Sequence, residues 1–118
     1  MGAETSAKLH VKEEDGFKYT GELLHGKSHG HGHVIHQKRG LEYWGEWKQG
    51  KFDGKGTYHW EKGTYEGEFK DGVFHGKGKR FMFVQDEVCI SEAMFKQGYR
   101  KGRGRDTCIK ASKYDGFP

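Results

Sequence analysis

Apolar and polar residues alternate with period two in short stretches along most of the chain. Tyr43, Gly45 and Trp47 fall on one side of such a stretch, with Trp44, Glu46 and Lys48 on the other. After a glycine-containing break, Gly54, Gly56, Tyr58 and Trp60 share one side and Lys55, Thr57 and His59 the other. Period two on both sides of a short turn predicts a β-hairpin. One face of that hairpin carries aromatics and glycines, and the other is mostly polar.

The stretch recurs. Tyr19-Thr-Gly-Glu-Leu-Leu-His-Gly26 aligns with Tyr43-Trp-Gly-Glu-Trp-Lys-Gln-Gly50 and with Tyr65-Glu-Gly-Glu-Phe-Lys-Asp-Gly72. A fourth block, Ser91-Glu-Ala-Met-Phe-Lys-Gln-Gly98, keeps the second half only. Each block leads into Gly-x-Gly, at Gly30/Gly32, Gly54/Gly56, Gly76/Gly78 and Gly102/Gly104, and the blocks start 24, 22 and 26 residues apart. Residues 9–19 read as the end of an earlier unit, and Tyr114-Asp-Gly116 as the start of a later one. The expected organisation is a tail over residues 1–8 and a repeat domain over 9–117. Within the domain we expect a half unit at 9–18, units at 19–42, 43–64 and 65–90, a degenerate unit at 91–113 and a start at 114–117.

Composition sharpens this picture. Glycine is 20 of 118 residues, far above the usual ~7%. Leu, Ile, Val and Phe together are also only 20, too few for a conventional two-layer core. Disorder does not follow, because net charge is only +4 and six Tyr, eight Phe and three Trp are present. One Pro excludes collagen. Glycine inside strands weakens them unless space is needed there. The expected use is for rings to lie across bare backbone, so that a thin sheet covers itself. Gly50 and Gly63, at block ends, are expected to supply positive-φ turns.

The Tyr-x-Gly-Glu-aromatic-x-x-Gly block followed by Gly-x-Gly resembles the MORN (membrane occupation and recognition nexus) repeat. The resemblance covers nearly the whole chain. It implies an all-β fold, an elongated, twisted, single-layer antiparallel sheet of stacked β-hairpins with open ends. The fourth block departs from the pattern, with Ser91, Ala93 and Met94 at the Tyr, Gly and Glu positions. Residues 84–88 read as an irregular insertion before it. The resemblance also implies a non-catalytic scaffold that bridges protein partners in a larger assembly. Cytoskeletal or ciliary settings such as radial spokes are where such repeats occur, together with membrane junctions.

Candidate chemistry is sparse. His29, His31 and His33 are expected on one face of a strand and form a weak candidate for a metal. Lys55, Lys77 and Arg103 at the His31 position, however, point to a solvated basic face, so no metal or other cofactor is expected. Glu22, Glu46 and Glu68 recur once per unit and are expected to pair with cross-strand lysines rather than act as catalytic acids. No nucleophile elbow, phosphate loop or zinc-protease motif is present, and the chain is not expected to be an enzyme. Cys89 and Cys108 are expected to be reduced in a cytosolic protein.

Three surfaces are candidates for partners. Tyr19, Tyr43, Trp47, Tyr58, Trp60, Tyr65 and Phe69 are expected to form an aromatic groove that clamps a peptide or helix. Lys96, Arg100, Lys101, Arg103, Arg105 and Lys110, with Lys113 and the single acid Asp106, give residues 96–113 a charge of +6. That stretch suits an acidic protein surface or an anionic phospholipid, and nucleic acid is the least favoured partner because no nucleic-acid motif accompanies the charge. Phe81 and Phe83 replace outward polar positions and form a third patch, unless the irregular loop folds back over them.

The longest apolar run, Phe81-Met-Phe-Val84, is far short of the ~20 residues that span a bilayer, and the N-terminus lacks the apolar core of a signal peptide. A cytoplasmic location is expected. Met1-Gly2-Ala-Glu-Thr-Ser6 fits the N-myristoylation pattern. A peripheral membrane adaptor is therefore one alternative function, and an accessory subunit of an enzyme complex is another. Open sheet edges also permit homo-oligomers.

Overall fold

A computed structural model describes residues 9–113. The tail, with Gly2 and its acylation pattern, and the repeat start at Tyr114 lie outside them. Nine antiparallel strands follow one another in chain order in a single open sheet: β1 (His10–Glu14), β2 (Phe17–Leu24), β3 (Lys27–His36), β4 (Leu41–Lys48), β5 (Lys51–Trp60), β6 (Gly63–Lys70), β7 (Val73–Val84), β8 (Glu87–Lys96) and β9 (Tyr99–Lys110). The molecule measures 52 × 30 × 23 Å, elongated as a one-layer repeat must be. A short 3-10 turn, Ala111–Lys113, follows β9.

Turn chemistry sets the hairpins. At Gln49-Gly50 both residues have positive φ, 50° and 82°, which is the type I′ turn that matches strand twist. Its Gly50 amide also donates to the Ser28 carbonyl at 2.9 Å, tying the turn to the preceding hairpin. Gly63, in contrast, lies within β6, and its turn is Glu61-Lys62. There the close approach of the Phe81 carbonyl leaves no room for a side chain. The segment around residues 84–88, expected to be irregular, instead forms a hairpin closed by Gln85-Asp86 between Val84 and Glu87.

The glycines and tyrosines interlock. Tyr43 pairs across strands with Tyr58, and Gly45 with Gly56, so all four share a face. The Tyr43 ring lies over Gly56, and a Cβ there would run into the phenol. Tyr19 covers Gly32 and Tyr65 covers Gly78 in the same way. Each phenol then donates to a carbonyl three residues on, at Glu22 (2.7 Å), Glu46 (2.7 Å) and Glu68 (2.8 Å). Rings on bare backbone thus replace aliphatic filling. Tyr43 and Tyr65 are completely buried, with Tyr19, Trp47, Phe69 and Phe95 buried beside them. Tyr43 stacks on Phe52 at 3.9 Å and meets Trp47 and Phe69 edge-on, the geometries ring quadrupoles favour. Burial raises the phenol pKa of Tyr19, Tyr43 and Tyr65, the last to about 12.

The recurring glutamates do something other than expected. Gly21 and Leu23 on β2 pair with Gly32 and Ser28 on β3, so three residues of β3 bulge opposite Glu22. Its carboxylate accepts the His31 amide at 2.8 Å and sits beneath Gly30, whose φ is 66°. Glu46 accepts the Lys55 amide, and Glu68 the Lys77 amide at 3.4 Å, at equivalent bulges. The carboxylates therefore satisfy backbone donors that a bulge leaves unpaired, and make no ion pair with the cross-strand lysines. The first Gly of each Gly-x-Gly has a positive φ, 66°, 98°, 62° and 71° at Gly30, Gly54, Gly76 and Gly102, a conformation that glycine adopts without strain.

Candidate partner-binding surfaces

The aromatic face is mostly interior. Of the seven aromatics expected to line a groove, Tyr19, Tyr43, Trp47, Tyr65 and Phe69 are buried, and only Tyr58 and Trp60 are half-buried. What remains open is a shallow second layer. Phe52, Tyr58 and Phe74 line an apolar hollow of about 220 Å³ together with Val73 and the turn glycines Gly72 and Gly98. Trp60 extends it, packed against Tyr58 at 5.4 Å and Phe74 at 5.9 Å. Burial raises the Tyr58 phenol pKa above its ordinary value. Phe52 and Phe74 were not singled out by sequence reasoning. The signal was their place, just after each turn, where the bulge turns them back toward the rings.

The basic stretch is divided by the fold. Arg100 grips Asp106 with two hydrogen bonds, at 2.7 and 3.0 Å, and the Ser91 hydroxyl donates to the same carboxylate at 2.7 Å. These bonds hold the Asp106 pKa below its usual range, Arg100 contributing most and Ser91 next. Lys110 pairs with Asp86 at 3.0 Å. Lys96, Lys101, Arg103 and Arg105 are exposed and make no ion pair among the described residues. Arg105 stands directly across from Glu92, whose carboxylate lies 4.0 Å from Lys79.

Phe81 and Phe83 share the polar face with Lys79, as the alternation implies, and the Lys79 ammonium lies 6.0 Å from the Phe81 ring centre. Phe81 is half-buried between Thr64 and Ile90, and Phe83 lies opposite Val88. Residues 84–88 are part of the β7–β8 hairpin, not a loop folded over them.

The three candidate histidines do not converge. The bulge at Gly30 separates His29 from the register of His31 and His33. His31 lies 3.9 Å from both Glu22 and Glu46, while His33 bonds Glu42 at 2.7 Å and stacks on Trp44 at 3.9 Å. Cys89 and Cys108 also depart from expectation. They are direct partners across β8 and β9 and are joined in a disulfide. Counting outward from the turn at Gln97-Gly98 places Cys89 opposite Asp106. The bulge between Glu92 and Met94 adds two residues to β9 and brings Cys108 there instead. Among the described residues, the group of metal-ligating donors within 4.8 Å of one another is Glu87 with these two sulfurs, which the disulfide occupies. No helix among the described residues is long and apolar enough to cross a membrane.

Strand-ordered hairpins, a ring layer on glycine and a carboxylate under each bulge define a β-hairpin repeat protein. The MORN repeat family model matches three adjacent segments, residues 19–34, 43–64 and 65–81, so the chain carries MORN repeats. The matches stop before Ser91, where the Tyr and Glu positions are lost. No curated protein matches the chain. MORN repeats are generally non-catalytic.

Proposed function

We propose that this chain is a non-catalytic scaffold or adaptor that bridges protein partners in a larger assembly. The cytoskeletal or ciliary setting, in the cytoplasm, rests on the resemblance of its repeats. The observation that carries the reading is the division of the aromatic face. Its first layer is sealed, and a second layer of Phe52, Tyr58, Trp60 and Phe74 stays partly open along the sheet. Large, rigid apolar rings in a groove suit a peptide or amphipathic helix laid across the hairpins. Tyr58→Ala with Trp60→Ala removes two of its four rings and leaves the buried rings in place. In cells, proximity labelling with the double variant loses the partners and the location of the wild type. Unchanged labelling and location contradict the scaffold reading.

A peripheral membrane role through the basic face has less support. Arg100 and Lys110 are engaged with acids, which leaves Lys96, Lys101, Arg103 and Arg105 to meet anionic phospholipid. Flotation with vesicles containing phosphoinositide separates the two. The scaffold reading expects Lys101→Glu with Arg103→Glu to leave location unchanged, and the lipid reading expects its loss. An accessory role beside an enzyme requires co-purification with a catalytic subunit.

A further inference from the structure

The two open edges of the sheet are unequal. β1 offers five residues. β9 offers twelve, of which ten are exposed, and among the described residues no strand lies beyond it. The bulge at Gly102, with φ 71°, interrupts the first half of β9. From Arg105 onward the pairing with β8 is continuous to Lys110. Cys89 and Cys108 have Cα atoms 4.1 Å apart, the narrow spacing of a pair that does not share hydrogen bonds. The backbone N–H and C=O of Cys108 therefore point away from β8. By alternation so do those of Asp106 and Lys110. Three residues in a row of six thus present ladder groups outward, and the disulfide fixes their centre.

Charge says what fits there. On the polar face Glu66, Lys79, Glu92 and Arg105 are successive cross-strand partners, and their signs alternate. Lys79 already lies at the Glu92 carboxylate, and among the described residues Arg105 makes no ion pair. Lys101 and Arg103 continue the positive charge along the same strand. Charged side chains on an edge ordinarily discourage pairing with a like edge. A run of one sign discourages only partners of that sign, so a second copy of β9 is disfavoured and a carboxylate-bearing strand is favoured.

We propose that residues 105–110 of β9 take an acidic, extended peptide segment as an added strand. This deepens the adaptor reading, on which it rests, by assigning a second partner class to a surface away from the aromatic groove. Backbone hydrogen bonds supply the docking and Arg105 selects acidic side chains.

The test uses a capped octapeptide of alternating glutamate and valine, titrated into the oxidised protein and followed amide by amide by NMR. The expected result is slowed exchange at Asp106, Cys108 and Lys110. Affinity is expected to fall about tenfold or more for Arg105→Glu and for a peptide N-methylated at alternate residues, which keeps its charge but cannot complete a ladder. Arg105→Gln serves as a milder variant, and the N-methylated peptide needs no variant at all. Four results overturn the proposal: equal binding of the N-methylated peptide, equal binding of a lysine–valine peptide, absence of binding, or a dimer of the protein through β9 that excludes the peptide. Perturbation confined to Phe52, Tyr58, Trp60 and Phe74 also overturns it while leaving the groove reading intact.

Discussion

The regular units and the final hairpin reach the same sheet by different chemistry. In β2 to β7 a tyrosine covers a glycine and a glutamate satisfies the bulge. In β8 and β9 the tyrosine position is Ser91, the glycine two residues after it is Ala93, and Met94 replaces the glutamate, while the covered-glycine position is kept as Gly104. Ser91, Arg100 and Asp106 form a polar cluster where the ring would lie, and the Cys89–Cys108 disulfide ties the strands. The bulge survives, displaced by one residue, with open space around Gly102 instead of a carboxylate. The backbone path is thus separable from the side chains that stabilise it. A repeat can give up its ring layer at one end, provided other bonds hold the last strand.

The largest effect that distinguishes the two regions is expected at Gly56. Gly56→Ala drives a Cβ into the completely buried Tyr43 ring, and overpacking of this kind costs up to about 3 kcal/mol, occasionally more. Urea unfolding measures it.

Breaking the disulfide comes next. Cys89→Ser with Cys108→Ser opens a loop of sequence separation 19, worth about 3 kcal/mol in the chain-entropy account. Hydrogen exchange is expected to show the loss at β8 and β9, with β2 to β6 protected as before. Loss spread evenly over the sheet would show that the final hairpin is not held separately.

Tyr43→Phe is smaller, about 1 kcal/mol, because it leaves the ring and strands the Glu46 carbonyl. It also reports on pH. Burial raises the folded phenol pKa above the unfolded value of about 10. The neutral tyrosines therefore contribute fully below pH 10, and that contribution disappears as pH rises from there toward about 12 for Tyr65. Alkaline unfolding is expected to start in the regular units and to be shallower in Tyr43→Phe.

The smallest effect is acidic and belongs to the final hairpin. Asp106 has a depressed pKa, so its contribution is present above the unfolded value near 3.8 and is lost as pH falls through the lower folded value. Asp106→Asn is expected to remove this acid limb. Its thermal midpoint at neutral pH is expected to move less than that of any variant above, since the group is exposed.

Much of this was legible in the sequence. The Tyr-x-Gly column and Gly-x-Gly pair foretold a hairpin repeat, and the shortage of aliphatics foretold rings packed on backbone. The role of Glu22, Glu46 and Glu68 was not legible, because a bulge is a relation between two strands and leaves no periodicity of its own. A further bulge, between β8 and β9, hid the cysteine pairing, since two extra residues in β9 move Cys108 into register with Cys89. The groove residues were half visible. Alternation identified the aromatic face, yet it does not say which rings are sealed and which stay open, a matter of how Phe52 and Phe74 stack on Tyr43 and Tyr65.

The most direct test is a double-mutant cycle between Tyr43 and Gly56. The nearest atoms to a Cβ at Gly56 all belong to the Tyr43 phenol. Gly56→Ala should therefore cost up to about 3 kcal/mol beside Tyr43, and less than about 1 kcal/mol in a Tyr43→Val background that leaves room for the methyl. Equal costs in the two backgrounds would contradict the claim that glycine is there to receive the ring.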